Sequence, residues 1–141
     1  MPAFERVLAI AGEWVRKAEN DLMNAVHTLK LGAGGPTDTV CFHAQQCIEK
    51  YLKAMLVLRA IDFPKTHDLE KLASLLPASA RAGLIAEEQA TLTEYATGAR
   101  YPGWSEIPLA EAKRAVAMAR RVRREIRRVL PRAILRRKKE P

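Results

Sequence analysis

Aromatic residues are scarce in this chain, and histidines and cysteines are few. Only 6% of the 141 residues are aromatic, although 48% are hydrophobic. This balance disfavours a β-sandwich core built from Val, Thr and aromatic side chains, since the abundant Ala, Leu and Arg suit helices better. The length is enough for one domain with one core. We therefore expect an all-α fold.

The chain has two cysteines, Cys41 and Cys47, and three histidines. On a helix a separation of six residues corresponds to roughly 9 Å along the axis, which is too far for a disulfide. No second cysteine pair or histidine cluster stands nearby to complete a metal site. We therefore expect two reduced core thiols, no metal and no cofactor.

Long apolar runs are also missing. Glu5, Arg6 and Glu13 interrupt the first apolar stretch, so it does not match a signal peptide. No segment approaches the ~20 apolar residues that a membrane span needs. The expectation is a cytoplasmic protein that does not enter a membrane.

Positive charge is concentrated at the C-terminal end. The formal net charge is +8, but residues 111–141 alone contain 13 Lys or Arg against three Glu and carry +10, so residues 1–110 carry −2. An anionic partner attracted by charge would meet this last segment first.

Apolar residues recur at three- and four-residue steps in several segments. The spacing predicts helices over 4–31, from Thr37 or Asp38 through Leu56, over 86–99 and from Pro108 to about Leu130. A shorter helix is expected with Thr66 as its N-cap and its end at Pro77. These segments predict an all-α, up-and-down four-helix bundle with an additional short helix over residues 1–131. Residues 132–141 are expected to form a basic, flexible tail.

The second predicted helix carries a broad apolar stripe, which is typical of a central bundle helix. Glu49 and Lys53 are spaced as an i,i+4 pair, and we expect them on the side opposite the stripe. His43 flanks the stripe, where we favour a structural hydrogen bond over catalysis. The stripe consists of Val40, Cys41, Ala44, Cys47, Ile48, Tyr51, Leu52, Met55 and Leu56.

The last predicted helix has a basic face that is open to two interpretations. It is either a solvated surface, with some cations favoured near the helix C-terminus, or a surface that binds nucleic acid or a nucleotide-bearing partner. In the second case binding would weaken steeply with salt. The face consists of Lys113, Arg114, Arg120, Arg121, Arg124, Arg127 and Arg128.

Four groups of residues follow one another along about residues 10–130. The groups are Trp14, Ala18, Asp21 and Leu22; then Phe42, Ala44, Gln45, Gln46, Glu49, Lys50, Leu52, Lys53 and Ala54; then Pro64, Lys65, Thr66, His67, Asp68 and Leu69; and finally Ala99, Arg100, Tyr101, Pro102 and Gly103. In this order they resemble the HEPN family, the nucleotide-binding domain of higher eukaryotes and prokaryotes.

This resemblance implies a bundle of four main helices and a short one, and commonly a homodimer. Members are often paired with a small nucleotidyltransferase in two-gene modules, which include toxin-antitoxin systems. Some members are metal-independent ribonucleases, and others are thought to bind nucleotides. The fold alone does not decide between these activities.

The ribonuclease members carry an arginine and a histidine separated by four to six residues at the entry to the last helix. Histidine moves a proton at neutral pH, and arginine stabilises charge on the phosphate. Arg100 matches the arginine, but Ser105, Glu106 and Ile107 stand where the histidine belongs. Glu106 is a poor substitute, because a carboxylate would repel the phosphate. The incomplete motif argues against ribonuclease activity.

The leading hypothesis is a homodimeric nucleotide- or RNA-binding protein with a minimal nucleotidyltransferase as partner. Arg100 would contact phosphate, with Lys65, His67 and Tyr101 around it. His67 also fits helix capping and packing. Tyr101 and Trp104 would either stack on a base or, as we prefer, fill the loop against the bundle. The alternatives are an active ribonuclease toxin that uses Arg100 with an unorthodox base, and a pure protein-interaction module.

Overall fold

A computed structural model describes residues 2–135, with the side chains of Pro2 and Arg100 left out. Its helices are α1 (Pro2–Leu29), α2 (Thr37–Leu58), α3 (Leu69–Ser74), α4 (Ala86–Ala96), α5 (Leu109–Arg127) and α6 (Arg132–Leu135). Short 3-10 turns cover Gly32–Gly34, Ala78–Ala80 and Gly98–Arg100. The described range contains no β-strand, and the all-α expectation is confirmed.

Helices α1 and α2 form an antiparallel pair. The ammonium group of Lys53, near the end of α2, lies 5.2 Å from the ring centre of Trp14 in the first half of α1. His43, near the start of α2, contacts Asp21 further along α1. The two helices therefore run in opposite directions along their contact.

The relative direction of α4 and α5 follows from two contacts between them. Tyr95, at the end of α4, donates to Glu111 at the start of α5. The carboxylate of Glu88, at the start of α4, accepts from Arg121 further along α5. These helices are therefore also antiparallel.

Helix α5 runs parallel to α2. The hydroxyl of Thr37 donates to the carbonyl of Ile107, just before α5, at 2.6 Å. Tyr51, fourteen residues further along α2, is contacted by Arg127 at the end of α5. The four long helices thus alternate in direction along the chain, as predicted for an up-and-down bundle.

Helix α2 is the centre of the core. Ile48, Tyr51, Leu52 and Leu56 on this helix are fully buried, and each large apolar side chain removed from water stabilises the fold by about 1.5–3 kcal/mol. Cys41 and Cys47 are buried and unpaired, as expected. No helix within residues 2–135 is long and apolar enough to cross a membrane.

The start of α3 differs from the prediction. Asp68, rather than Thr66, is the N-cap, because its carboxylate accepts from the backbone N–H of Lys71. Thr66 lies two residues before the cap, and its hydroxyl accepts from the N–H of Asp68. Both residues are good helix caps, so sequence alone could not separate them. Together these two hydrogen bonds hold the turn around His67 in place.

The end of α4 also differs. We predicted helix through Ala99, but α4 stops at Ala96 and the chain continues into the Gly98–Arg100 turn. Thr97 breaks the helix with backbone angles of −117° and −101°, and its hydroxyl turns back towards the carbonyls of Thr93 and Glu94. Such back-bonding competes with helix propagation.

The four residues directly after Pro131 are helical. Arg132–Leu135 form α6, and Ile134 and Leu135 pack against the core as partly buried side chains. The bundle therefore continues past residue 131, where we had placed its boundary. The rest of the expected tail, residues 136–141, lies outside the described residues.

Candidate functional site

A buried carboxylate lies at the centre of the polar residues in α2. Glu49 is only 2% exposed and accepts four donors: His67 Nδ1 at 2.8 Å, Gln45 Nε2 at 3.0 Å, Lys53 Nζ at 3.0 Å and Gln46 Nε2 at 3.3 Å. Glu49 and Lys53, predicted on the side of α2 opposite the apolar stripe, are both buried, so that side is covered by the protein rather than exposed to solvent. A buried charge is stable only when it is paired and hydrogen-bonded, as it is here.

His67 connects this cluster to solvent. Its side chain is 54% exposed although its partner Glu49 is buried. A carboxylate accepts hydrogen bonds, so Nδ1 donates in this pair and Nε2 is the nitrogen left to exchange a proton. A carboxylate that orients an imidazole in this way is the arrangement used by general acid-base catalysts. The geometry also serves the simpler purpose of holding the loop before α3 against α2.

A second buried carboxylate joins α1 to α2. Asp21 accepts from His43 Nδ1 at 2.8 Å with one oxygen and from Lys50 Nζ with the other. The structural hydrogen bond expected for His43 is confirmed. This cluster holds the two longest helices in register.

The predicted phosphate-binding residues lie in two places. Arg100 ends the Gly98–Arg100 turn, and its side chain lies outside the described part. Lys65 and His67 belong to the loop before α3, and Tyr101 follows Arg100. Among the described side chains, no hydrogen bond, ion pair or ring contact joins Lys65, His67 and Tyr101 to one another.

The loop after Arg100 is anchored far from Glu49. Near the end of this loop, the carbonyl of Ile107 accepts from Thr37 in the first turn of α2. Thr37 and Glu49 are about 18 Å apart along the helix axis, at 1.5 Å per residue. Within one chain the anchor of this loop and the His67 cluster therefore lie at different levels of the bundle.

The two aromatic residues of this loop behave differently. Trp104 lies over Gly98, so close that a Cβ on Gly98 would meet ring carbon Cζ3 at 2.8 Å. Tyr101 is 63% exposed. Trp104 is itself 43% exposed, so it covers Gly98 within the loop without being buried against the bundle, and the ring of Tyr101 is open to a ligand. The expectation that both rings fill the loop against the bundle is therefore met only in part by Trp104 and is wrong for Tyr101.

A groove lined by arginines runs along the second half of α5, beside Leu22 of α1. Its five guanidinium side chains come from one helix and lie within a sector of about 140°. They are Arg120, Arg123, Arg124, Arg127 and Arg128. Every charged side chain in the lining of this groove is therefore positive.

Two of these arginines form the floor of the groove. Arg123 Nε lies 2.9 Å from both carboxylate oxygens of Glu19, and Arg127 Nη1 lies 3.2 Å from Glu19 and 3.4 Å from the hydroxyl of Tyr51. The hydrogen bond to Glu19 raises the pKa of Arg123 above its usual value. Arg127, predicted to be on the exposed face, is instead partly buried.

The other three arginines form the rim. Arg120, Arg124 and Arg128 are exposed. Glu125 is the only carboxylate that contacts them in the described part, at 3.3 Å from Arg128 and 3.8 Å from Arg124. Cations therefore outnumber carboxylates around the groove, which suits an anionic ligand.

A second cleft between α4 and α5 is of mixed charge. Arg121 binds both oxygens of Glu88, at 2.7 and 3.2 Å, so Arg121 is paired rather than part of the open basic face. Burial alone would raise the pKa of Glu88, but hydrogen bonds from Arg121 and from the N–H of Ile85 outweigh it and lower the pKa. With Glu87 and Glu111 also in its wall, this cleft is less suited to a polyanion.

Sequence reasoning missed the roles of Glu49, Glu19 and Arg123. The polar Gln45, Gln46 and Glu49 within an apolar stripe were a signal for a buried cluster. Glu19 and Arg123 are 104 residues apart, and nothing in the sequence connects them. In the described part, no group of three or more His, Cys, Asp or Glu side chains is placed to hold a metal.

Comparison with known proteins agrees with this fold. The HEPN domain model matches residues 11–129. The crystal structure of TT1696 from Thermus thermophilus superposes with a TM-score of 0.69 at 23% identity, covering 85% of this chain and 98% of the other. ST0689, an archaeal HEPN homologue, gives a TM-score of 0.61 at 25% identity, covering 83% and 94%. No curated protein matches the chain. Since the family model spans most of the helical bundle, the chain belongs to the HEPN domain family.

Proposed function

We propose that this HEPN protein binds RNA or nucleotide phosphates and does not cleave RNA through the Arg and His pair of its ribonuclease relatives. The observation that carries the proposal is the arginine groove on α5, where five guanidinium groups face one cleft and two are held by Glu19. Guanidinium groups bind phosphate oxygens in pairs of hydrogen bonds.

The segment after Arg100 supports the non-catalytic part of the proposal. Ser105 and Glu106 are exposed, and Glu106, the one of the two with a carboxylate that could take a proton, would repel the phosphate. Ile107 is buried and its carbonyl is bound by Thr37. The described chain thus places no proton-transferring histidine at the position that the family motif requires.

The proposal includes two partners that the family resemblance suggests: a second copy of the chain and a minimal nucleotidyltransferase, in a two-gene module of the toxin-antitoxin type. Sedimentation of the purified protein tests the homodimer. Co-expression with a short nucleotidyltransferase from a neighbouring gene, followed by purification through a tag on one protein, tests the pair. A monomer in the first experiment, or no co-purification in the second, would remove that partner.

The ligand is tested by fluorescence anisotropy with labelled RNA and with nucleotides at low salt, together with gel analysis of the same RNA in the presence of a chelator. We expect binding that weakens as salt rises, and intact RNA. Absence of binding at low salt would contradict the proposal. Metal-independent cleavage that is lost in Arg100→Ala would contradict its non-catalytic part.

A second candidate function is ribonuclease activity with His67 as the base, and the Glu49–His67 contact is the observation that favours it. Within one chain the loop after Arg100 is anchored at a different level of the bundle from His67, so this activity would take Arg100 from a second copy of the chain. It predicts RNA cleavage that is lost in both Arg100→Ala and His67→Ala. His27→Ala is the matched control, because His27 is exposed on α1 and its side chain makes no hydrogen bond in the described part. Cleavage that survives His67→Ala would reject His67 as the base.

A further inference from the structure

We infer that the rim of the groove, Arg120, Arg124 and Arg128, binds three consecutive phosphates of single-stranded RNA. This inference rests on the proposed function, which leaves open the form of the nucleic acid and the residues that contact it. It assigns the site to the C-terminal half of α5, away from Arg100 and its loop.

The spacing of the rim residues carries the inference. They follow one another at i, i+4 and i+8, so neighbouring Cα atoms are about 6 Å apart along the axis and the whole rim extends about 12 Å. Consecutive phosphates within one strand are separated by a similar distance, whether the strand is single or paired. A duplex carries a second strand of phosphates as well, and a single row of three cations reaches only one of its two strands, so the row matches a single strand more completely.

The floor of the groove keeps this row in place. Glu19 fixes Arg123 and Arg127 from α1, and Tyr51 adds a contact from α2, so two helices hold the same side of α5. The side-chain carbons of the two floor arginines, together with Leu22, give an apolar wall beside the row of rim arginines. A strand bound to the exposed rim arginines would therefore lie beside a floor that is already fixed in the free protein.

The charge pattern is poorly explained by solubility alone. Helix α5, Leu109–Arg127, contains seven Lys or Arg and only two Glu. Like charges at i,i+4 destabilise a helix, and Arg120, Arg124 and Arg128 repeat such a repulsion twice. Glu125 offsets part of it at Arg124 and Arg128 but does not contact Arg120 in the described part. The helix dipole favours cations only in the last turn, so it does not account for Arg120. A bound polyanion would relieve this repulsion.

The test is anisotropy of a labelled oligouridylate against salt concentration, with the intact chain and with Arg120→Gln, Arg124→Gln, Arg128→Gln and the triple variant. Three neutralised phosphates predict a slope of log K against log salt of about −2, and each single variant should reduce its magnitude by about 0.7. Lys71→Gln is the control, because Lys71 is exposed on α3, and α3 packs on α2 and α4. Thermal melts followed by circular dichroism confirm that each variant is folded.

Each outcome separates this inference from the proposed function. RNA binding with an unchanged slope in the triple variant would overturn the assignment to the rim while RNA binding stands. Equal or tighter binding of an RNA duplex of the same length would overturn the single-strand assignment. No binding of any RNA at low salt would overturn both. The supporting result is a smaller slope of log K against log salt in the rim variants and an unchanged slope in Lys71→Gln.

Discussion

His67 and Glu49 join a solvent-exposed imidazole to a fully buried carboxylate, with Nδ1 and Oε1 2.8 Å apart. The contact closes the loop between α2 and α3 over the polar interior of α2. It also fixes which nitrogen of His67 faces solvent. The same pair therefore stabilises the bundle and orients an exposed proton-carrying group near the core.

Replacing Glu49 should be much more damaging than replacing His67. Glu49→Ala leaves the buried Lys53 without its counter-charge, and breaking such a pair costs about 3–5 kcal/mol. His67→Ala removes one hydrogen bond that is open to solvent, worth about 1 kcal/mol. Urea unfolding of both variants measures the difference. Glu70→Ala, at an exposed position on α3, is the control and should change the free energy of unfolding little. Equal costs for Glu49 and His67 would show that the carboxylate is not the centre of the cluster.

Replacing Glu19 should separate binding from stability. In Glu19→Gln the side chain keeps its size, but Arg123 and Arg127 lose a charged partner, so we expect the free energy of unfolding to fall by about 1 kcal/mol. The positive charge of the groove then increases, and RNA affinity at low salt should rise.

Urea unfolding and RNA anisotropy measure these two opposite effects of Glu19→Gln. Glu13→Gln is the matched control, because Glu13 is 71% exposed on the same helix and pairs only with Arg16 at 3.5 Å in the described part. Weaker RNA binding in Glu19→Gln would mean that the fixed floor matters more than the added charge.

A larger side chain at Gly98 should displace Trp104. A Cβ there would lie 2.8 Å from ring carbon Cζ3 of Trp104, so Gly98→Ala must move the indole, and because this ring is 43% exposed we expect a cost of only about 1 kcal/mol. The displacement should change the emission of Trp104, measured in a Trp14→Phe background.

Gly12 provides the contrast for Gly98. A Cβ at Gly12, in the interior of α1, would meet no atom within 4 Å. Gly12→Ala should therefore stabilise the protein by about 0.5–1 kcal/mol, because alanine restricts the unfolded chain. A destabilised Gly12→Ala, or a Gly98→Ala with unchanged emission, would contradict the local geometry.

The two cysteines should be unreactive in the folded protein. Burial raises the pKa of Cys41 from 9.0 to about 12, and it likewise raises the pKa of Cys47. The thiolate is the reactive form, so thiol reagents at neutral pH should modify both residues only after unfolding.

The same shifts predict the direction of the alkaline response. The unfolded thiols lose protons near pH 9 whereas the folded ones keep theirs, so stability is retained below pH 9 and falls as the pH rises above it. Urea midpoints measured from about pH 7 to 10 should decrease across the upper part of this range. A urea midpoint that increases as the pH is raised above 9 would contradict the burial of these thiols.

Local pattern was sufficient for the secondary structure and the family. The three- and four-residue spacing predicted each long helix to within a few residues, because one buried face requires that spacing. Where two capping residues lie close together, as at Thr66 and Asp68, the choice depended on the path of the chain into α3, which local sequence does not contain.

The site residues depended on tertiary structure. Tyr101 and Trp104 are aromatic residues of the same loop, three positions apart, yet only Trp104 packs over a glycine, Gly98. The basic face was visible in the sequence, but its division into a fixed floor and an open rim was not. That division requires Glu19, which the bundle brings from 104 residues away to Arg123.

The sequence by itself determined that this chain is a helical HEPN protein with its positive charge at one end. Only the tertiary structure decided that Glu49 is buried beneath His67, and which arginines remain open to a ligand. The physical reason is that helix periodicity is a local property, written in neighbouring residues. The pairing of charges depends instead on which helix faces meet, and packing of the whole core decides that.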